Sequence, residues 1–344
     1  MSETSIILAF TACISFFAAA LGFSTLTKKS LSLEPFYIIL ALFFIGFSIL
    51  FYINPIDHDI IHEISYFDAL TALAFSLIIS LSAKYKNSTI YIIVLGSIIG
   101  SLFVPHDFLL FEGKLHPIID RFSIALIWFL LSYSFKYLNV IDGIATIQTT
   151  AITLGIFLIY LFGATAFLLA ALSILIVFIM GTFYLFTATK TSFKLSNHST
   201  QALGFIISWL IIKLSQEGGL SCGLIFSSFL LLEAVTVFIQ KFLPNKKLSS
   251  FERTNVYAFI QNNYSPLNIN ISYAKICVLL VILGVFQIFA HNPYSVLIVS
   301  LLFTFWFISK LRGWYSNMTF KEANLSLANE IKENLKELRK GKND

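Results

Sequence analysis

Charged residues are scarce in this sequence. Asp, Glu, Lys and Arg make up 12% of the 344 residues, whereas hydrophobic residues make up 57%. Soluble domains carry roughly 25% charged residues. The mean hydropathy is +0.84, so the chain has more apolar surface than one water-soluble core could bury. The composition therefore excludes an ordinary soluble domain and predicts a chain whose solvent is the lipid bilayer.

Cysteine is rare as well. The three cysteines are far apart in apolar runs, at Cys13, Cys222 and Cys277. No CxxC pair is present, which favours buried small hydrophobic residues over a disulfide framework or a metal site. The net charge of +5 is not concentrated in a soluble basic domain, so we expect no nucleic-acid partner.

Apolar runs recur at the length that a helix needs to cross a membrane, about 20 residues. The first run follows a segment with Glu3 and no basic residue, unlike a cleaved signal peptide. We therefore predict an all-α polytopic bundle of about eleven transmembrane helices. The predicted spans are 5–25, 34–54, 65–83, 89–104, 121–138, 146–163, 164–187, 199–216, 219–240, 273–290 and 293–309.

The basic residues fall mainly on one side of this arrangement. If the amino terminus is outside, twenty of the 23 Lys and Arg residues lie in inside segments. The other three are Lys114, Arg121 and Lys213. Cytoplasmic loops are enriched in Lys and Arg, so this partition predicts an outside amino terminus and an inside carboxyl terminus. The inside loops are also the longer ones, and loops often carry function.

The last segment differs from the rest, which divides the chain into a membrane domain at 1–315 and a tail at 316–344. In the tail, apolar residues recur at helical spacing among Lys and Glu, as at Leu327, Ile331 and Leu335. This pattern is typical of an amphipathic helix on an anionic membrane surface, and a solvated tail is the alternative.

A few polar residues at membrane depth are candidates for function, because charge in the bilayer is expensive. Lys136 lies near the inner end of the fifth predicted span, and Glu233 lies within the ninth. Lys136 could instead extend to the interface, and Glu233 could belong to a buried ion pair. Asn139 and Asp142 stand where the fifth span meets the cytoplasm, and Gly143 then permits a sharp exit from the helix. Taken alone, these residues are also typical of an ordinary helix C-terminus.

Three segments together resemble the polyprenyl-phosphate N-acetylhexosamine-1-phosphate transferases. Asn139-Val140-Ile141-Asp142-Gly143 is similar to their N-x-x-D-G segment. Ser196 to Thr200, followed by Gly204-Phe205, looks like the loop before a later span. Leu231-Leu232-Glu233, followed by a basic loop, is similar to their P-L-x-D. The order and spacing agree over roughly residues 65 to 310.

The resemblance implies a reaction and a place for it. The family transfers a sugar phosphate from a UDP-sugar to undecaprenyl phosphate at the inner face of the bacterial plasma membrane, with Mg²⁺. It implies that Asp142 and Glu233 are catalytic and share the metal, since Mg²⁺ prefers oxygen ligands. Asn139, Lys136, Lys194, Asn197 and His198 are then the substrate-binding residues.

Several of the family's acidic and histidine positions are changed in this chain. The paired aspartates fall near Ala83 and Lys84, the second aspartate of the N-x-x-D-G segment is Ala145, and the loop aspartate is Asn197. No histidine stands at 255–258. Two interpretations follow from these changes: an active but diverged transferase, or a pseudoenzyme that binds the lipid carrier or a partner protein.

A membrane transporter or channel is the alternative from another class. It would be expected to carry charged or broken helices in two related halves, whereas no internal repeat is visible in this sequence. A smaller alternative is a metal site outside the membrane at His58 and His62, which stand four apart and would share one face of a helix.

The predicted orientation can be tested with fusions in bacterial cells. A green fluorescent protein fused after Asp344 should fluoresce, and alkaline phosphatase at the same point should be inactive, because the carboxyl terminus is inside. Phosphatase fused after His116, in the predicted outside loop, should be active. Active phosphatase after Asp344 would contradict the orientation.

Overall fold

The part of the chain that the structure describes is almost entirely helical. The structure is a computed structural model, and it describes residues 35–53, 66–82, 88–105, 108, 110, 116–138, 143–189, 195–242, 266–290, 292 and 294–308. These ranges contain no strand. Their helices are Pro35–Ile53 (α1), Tyr66–Leu81 (α2), Ser88–Phe103 (α3), Pro117–Leu138 (α4), Ile144–Leu161 (α5), Phe167–Thr189 (α6), Asn197–Leu214 (α7), Leu220–Phe242 (α8), Pro266–Phe289 (α9) and Tyr294–Ile308 (α10).

These helices match the predicted spans from the second to the eleventh. The predicted boundary near Gly163 is confirmed as a short turn between α5 and α6, in which Gly163 has a φ of 76°. The structure differs at the starts of two spans: α4 begins at Pro117 rather than 121, and α9 begins at Pro266 rather than 273. The first span and the tail at 316–344 lie outside the described residues, as do His58 and His62.

Several helices have the length and composition of membrane spans. Within the described ranges, four helices meet both criteria, with mean hydropathies of 1.5 to 2.5: Pro117–Lys136, Ile144–Leu161, Phe167–Thr187 and Asn270–Phe289. Shorter apolar helices are Pro35–Gly46, Ala69–Leu81, Thr89–Phe103 and Tyr294–Ile308. Large apolar side chains also line exposed faces, such as Val278, Ile282 and Phe286 on α9. A soluble monomer rarely exposes apolar patches of this kind, whereas lipid covers them in a membrane.

Helix α7 lies at the centre of the bundle. Every residue from Ser199 to Leu214 is buried, and α7 packs against α4 and α2 most extensively, with α8, α5 and α6 also in contact. A second group of helices consists of α5 packed between α6 and α9, with α1 on the outer side of α6. A helix that is buried all round needs partners for its polar side chains within the bundle.

Small residues allow α4 and α7 to approach closely. A Cβ atom added at Gly204 of α7 would lie 2.7 Å from the side chain of Phe135. About two turns before Phe135 on α4, the Trp128 indole N–H donates a hydrogen bond of 3.1 Å to the Phe205 carbonyl. About one turn before Phe135, Ser132 lies 3.2 Å from Ser208. Small residues and interhelical hydrogen bonds of this kind hold helices together in membranes.

The contact at Gly204 predicts a specific loss of stability. Alanine normally favours a helix over glycine by about 1 kcal/mol. In Gly204→Ala the new methyl group collides with Phe135, and overpacking of a core costs roughly 1 to 3 kcal/mol. We expect the melting temperature of the detergent-purified protein to fall.

The matched control is Gly181→Ala on α6, where a Cβ would meet nothing within 4 Å. Its melting temperature should be unchanged or higher. Equal effects of the two substitutions would show that the α4–α7 contact does not constrain the fold.

Candidate functional site

One end of the bundle collects the segments that the sequence singled out. We call it end A: there α2, α4, α6 and α8 finish and α3, α5, α7 and α9 begin. The opposite end is end B. Contacts between helix termini support this grouping, because His198 at the start of α7 bonds to Thr89 at the start of α3. At end B, the ring of Phe162 packs on that of Phe289, 5.4 Å between centroids.

Gly143 begins α5 at a contact between three helices. Its φ of 94° lies in the left-handed region, which confirms the sharp turn predicted at this position. A Cβ here would lie 2.9 Å from the ring of Tyr184 at the end of α6, and 3.0 Å from Nδ2 of Asn270 at the start of α9. The described part of α4 ends at Leu138, and Asn139 and Asp142 lie outside the described residues.

The segment from Ser196 to Thr200 forms the start of α7 rather than a free loop. Ser196 is the N-cap, and its hydroxyl accepts a hydrogen bond of 3.1 Å from the Ser199 N–H. Asn197 and His198 therefore occupy the first turn, where Asn197 is exposed and His198 is half-buried. Lys194, just before this turn, lies outside the described residues.

His198 is held by the hydroxyl group of Thr89 at the start of α3, which is itself bonded to the hydroxyl group of Ser82 just after α2. Its Nδ1 lies 2.9 Å from Oγ1 of Thr89. Thr89 in turn lies 3.0 Å from Oγ of Ser82, and Ser82 donates a hydrogen bond of 2.7 Å to the Ile79 carbonyl. The imidazole orientation is therefore fixed by residues that belong to two other helices.

Lys136 lies in the last turn of α4, at end A. The side chain is half-buried, and its Nζ lies 5.9 Å from the centroid of the Tyr133 ring. An ammonium group at this distance from an aromatic face gains a modest electrostatic attraction. Both interpretations of Lys136, extension to the interface and a role in binding, fit this position.

The backbone of Glu233 belongs to α8, although its side chain lies outside the described residues. Its level in the bundle follows from the neighbouring turn, because Phe229 packs edge-on against Tyr273 of α9 with 4.9 Å between centroids. Helices α8 and α9 run in opposite directions. Moving one turn along α8 to Glu233 therefore corresponds to one turn back along α9, close to Asn270. Glu233 thus stands at the level of the Gly143 contact.

A buried glutamine joins the start of α5 to α8 and α9. Gln148 is 1% exposed; its Nε2 donates to the Phe226 carbonyl at 3.1 Å, and its Oε1 accepts from the Tyr273 hydroxyl at 2.6 Å. The Cys277 thiol also donates to this oxygen, at 3.3 Å. The sequence analysis missed Gln148, Tyr273 and Asn270, although polar residues inside apolar spans are a signal for such contacts.

The described residues of end A do not make a magnesium site. The carboxylates whose side chains are described, Asp120 and Glu217, belong to end B, where each accepts a backbone N–H. Ala145, at the family's second aspartate position, is 5% exposed and part of the hydrophobic core. Throughout the described ranges, no group of three or more His, Cys, Asp and Glu side chains could hold a metal ion. The predicted pairing of Asp142 with Glu233 lies outside them.

No protein-family model matches the sequence, and no curated protein matches it. The resemblance to the sugar-phosphate transferases therefore depends on the three sequence segments.

The three-helix contact at Gly143 predicts an effect of Gly143→Ala. A non-glycine residue at positive φ costs about 1 to 2 kcal/mol, and the methyl group would also meet Tyr184 and Asn270. Gly163→Ala is the control, because Gly163 has a φ of 76° but no atom within 4 Å of its Cβ position.

Thermal unfolding in detergent measures both effects. Gly143→Ala should lower the melting temperature more than Gly163→Ala does, since only the first substitution disturbs packing. A larger loss in Gly163→Ala would contradict the close contact between α5, α6 and α9.

Proposed function

We propose that this protein is a diverged, inactive relative of the sugar-phosphate transferases that binds a polyprenyl phosphate at end A. In this proposal it crosses the bacterial plasma membrane eleven times, and end A faces the cytoplasm. The observation that carries the proposal is the common level of three separate segments. One end of the bundle contains Gly143, the turn of α8 that includes Glu233, and the start of α7.

The helix packing supports a shared site for these segments. Helices α4 and α7 meet where Phe135 contacts Gly204, about two turns below the start of α7. Asn139 to Asp142 stand in the sequence between Leu138 of α4 and Gly143 of α5, both of which lie at end A. Lys136 lies in the last turn of α4, three residues before Asn139 in the sequence. Segments far apart in sequence are thereby within reach of one ligand.

The chemistry of end A favours binding over transfer. Phosphoryl transfer from a nucleotide sugar needs stabilisation of several negative oxygens, commonly by Mg²⁺ and its carboxylate ligands. The resemblance expects an aspartate at two positions that carry other residues here. One is Ala145, which is buried, and the other is Asn197, whose side chain is neutral. A single lipid phosphate requires less: Lys136 and Lys194 supply charge, and Asn139 and Asn197 supply hydrogen-bond donors. His198 stands beside Asn197 in the first turn of α7 and belongs to the same proposed site. In an active enzyme, Asp142 and Glu233 would instead hold the metal.

The first experiment separates binding from transfer. Detergent-purified protein is given undecaprenyl phosphate, UDP-N-acetylglucosamine and Mg²⁺, and UMP release is measured beside lipid binding. We expect binding without UMP release, from this or from other UDP-sugars. UMP release that disappears in Asp142→Asn would establish an active transferase and overturn the proposal that the protein is inactive.

Lys136→Gln tests the location of the bound lipid. A basic residue near an anionic group contributes about 1 kcal/mol, so its loss should weaken undecaprenyl phosphate binding roughly fivefold. Lys114→Gln, in the predicted outside loop, should leave binding unchanged. Equal affinities of the two variants for undecaprenyl phosphate would exclude end A as the binding site. Absence of lipid binding in the unmodified protein would reject the proposal, and solute uptake into vesicles would then test the transporter alternative.

A further inference from the structure

A chain of hydrogen bonds at end A determines which nitrogen of His198 carries the proton. It runs from the imidazole Nδ1 to Thr89 at 2.9 Å, from Thr89 to Ser82 at 3.0 Å, and from Ser82 to the Ile79 carbonyl at 2.7 Å. Each hydroxyl has one proton to donate, and a carbonyl oxygen has none. The direction of the whole chain therefore follows from its last member.

The Ile79 carbonyl fixes the role of Ser82. A contact of 2.7 Å between two oxygens is a hydrogen bond only when a proton lies between them, and the Ile79 oxygen can only accept. The single hydroxyl proton of Ser82 is therefore donated to the Ile79 carbonyl. In its contact with Thr89, Ser82 is the acceptor, and Thr89 donates.

The same count then applies to the next contact. The proton of Thr89 points to Ser82, so Oγ1 of Thr89 meets His198 with a lone pair. The donor in this contact is the Nδ1–H of the imidazole. A neutral imidazole has one N–H, so its Nε2 carries a lone pair.

We propose that Ser82 and Thr89 are positioning residues that hold neutral His198 as the Nδ1–H tautomer and make Nε2 a hydrogen-bond acceptor at end A. Both hydroxyl-bearing residues are buried, at 5% and 6% exposure, so water does not readily replace them in the chain. Neither residue was singled out by the sequence, and neither needs to touch a ligand for this role.

The tautomer has a consequence for the kind of ligand atom that His198 meets. As an acceptor, Nε2 binds a hydroxyl or amide N–H of a ligand, whereas a phosphate oxygen would require a second proton on the ring. This consequence rests on the proposed function, because it assumes that a ligand occupies end A. The assignment of the tautomer does not rest on the proposed function, because it can be measured without a ligand.

The measurement is ¹⁵N nuclear magnetic resonance of detergent-purified full-length protein labelled at histidine. Protonated and unprotonated ring nitrogens have well separated ¹⁵N resonances. Spectra are taken about two pH units above the ordinary histidine pKa of about 6.5, where the ring is neutral. Signals of His198 are those lost in His198→Gln. We expect a protonated Nδ1 and an unprotonated Nε2, and the opposite pattern would overturn the proposal.

Substitutions of the two hydroxyl-bearing residues test the cause. Ser82→Ala removes the acceptor for Thr89, which can then donate to Nδ1, so the Nε2–H form should become the major one. Thr89→Ser should keep the original tautomer. The matched control is Ser80→Ala, because Ser80 is also buried at the end of α2 but contacts Ser199 instead, at 3.5 Å.

Two results would contradict a positioning role. One is an unchanged tautomer in Ser82→Ala, and the other is the same change in Ser80→Ala. If Ser82→Ala does not fold, Thr89→Val provides the second variant, since it removes the hydroxyl that receives the Nδ1 proton and should also shift the ring towards the Nε2–H form.

Discussion

The complete burial of α7 is the constraint on which the arrangement of the other helices depends. A helix without a lipid-facing side must satisfy its polar groups inside the bundle, because no water reaches them there. Among the described residues the Trp209 indole nitrogen has no hydrogen-bond partner, but other polar groups of α7 bond to Trp128 and Ser132 of α4 and to Ser80 of α2. These bonds, with the close contact at Gly204, fix the height of α7 relative to its neighbours. The start of α7 is thereby held level with the ends of α2 and α4.

The two ends of the bundle use their polar residues differently. At end B, Asp120 accepts the Leu110 N–H and Glu217 accepts the Ala166 N–H just before α6. These carboxylates satisfy backbone donors, and a charge at a helix start is favoured by the helix dipole. The described part of end A relies on hydroxyls, amides and one imidazole instead. Neutral groups of this kind can be buried at membrane depth when each has a partner, whereas an unpaired carboxylate is far more costly.

Much of the helical architecture could be predicted from the sequence, because apolar runs of membrane length identify spans directly. The boundary between the sixth and seventh spans and the sharp turn at Gly143 were both predicted. Hydropathy says little about which helices touch, so the central position of α7 could not be foreseen. The start of α4 at Pro117 was missed, since the predicted span began with the apolar run after Arg121. Contacts such as Gln148 with Tyr273 depend on the rotation of three helices, which span length does not determine.

The pattern at end A is what would be expected of an enzyme fold that has lost a metal requirement, as we propose for this chain. A carboxylate at a membrane helix end is favourable while a cation neutralises it, and without the cation its burial is unfavourable. Ala145, buried where the resemblance expects an aspartate, avoids that cost. The Ser82–Thr89–His198 chain is subject to the same physical demand, because each of its donors has an acceptor inside the protein. In the proposed function, the charge for a lipid phosphate comes from Lys136 and Lys194, because long lysine side chains can keep their charges near water.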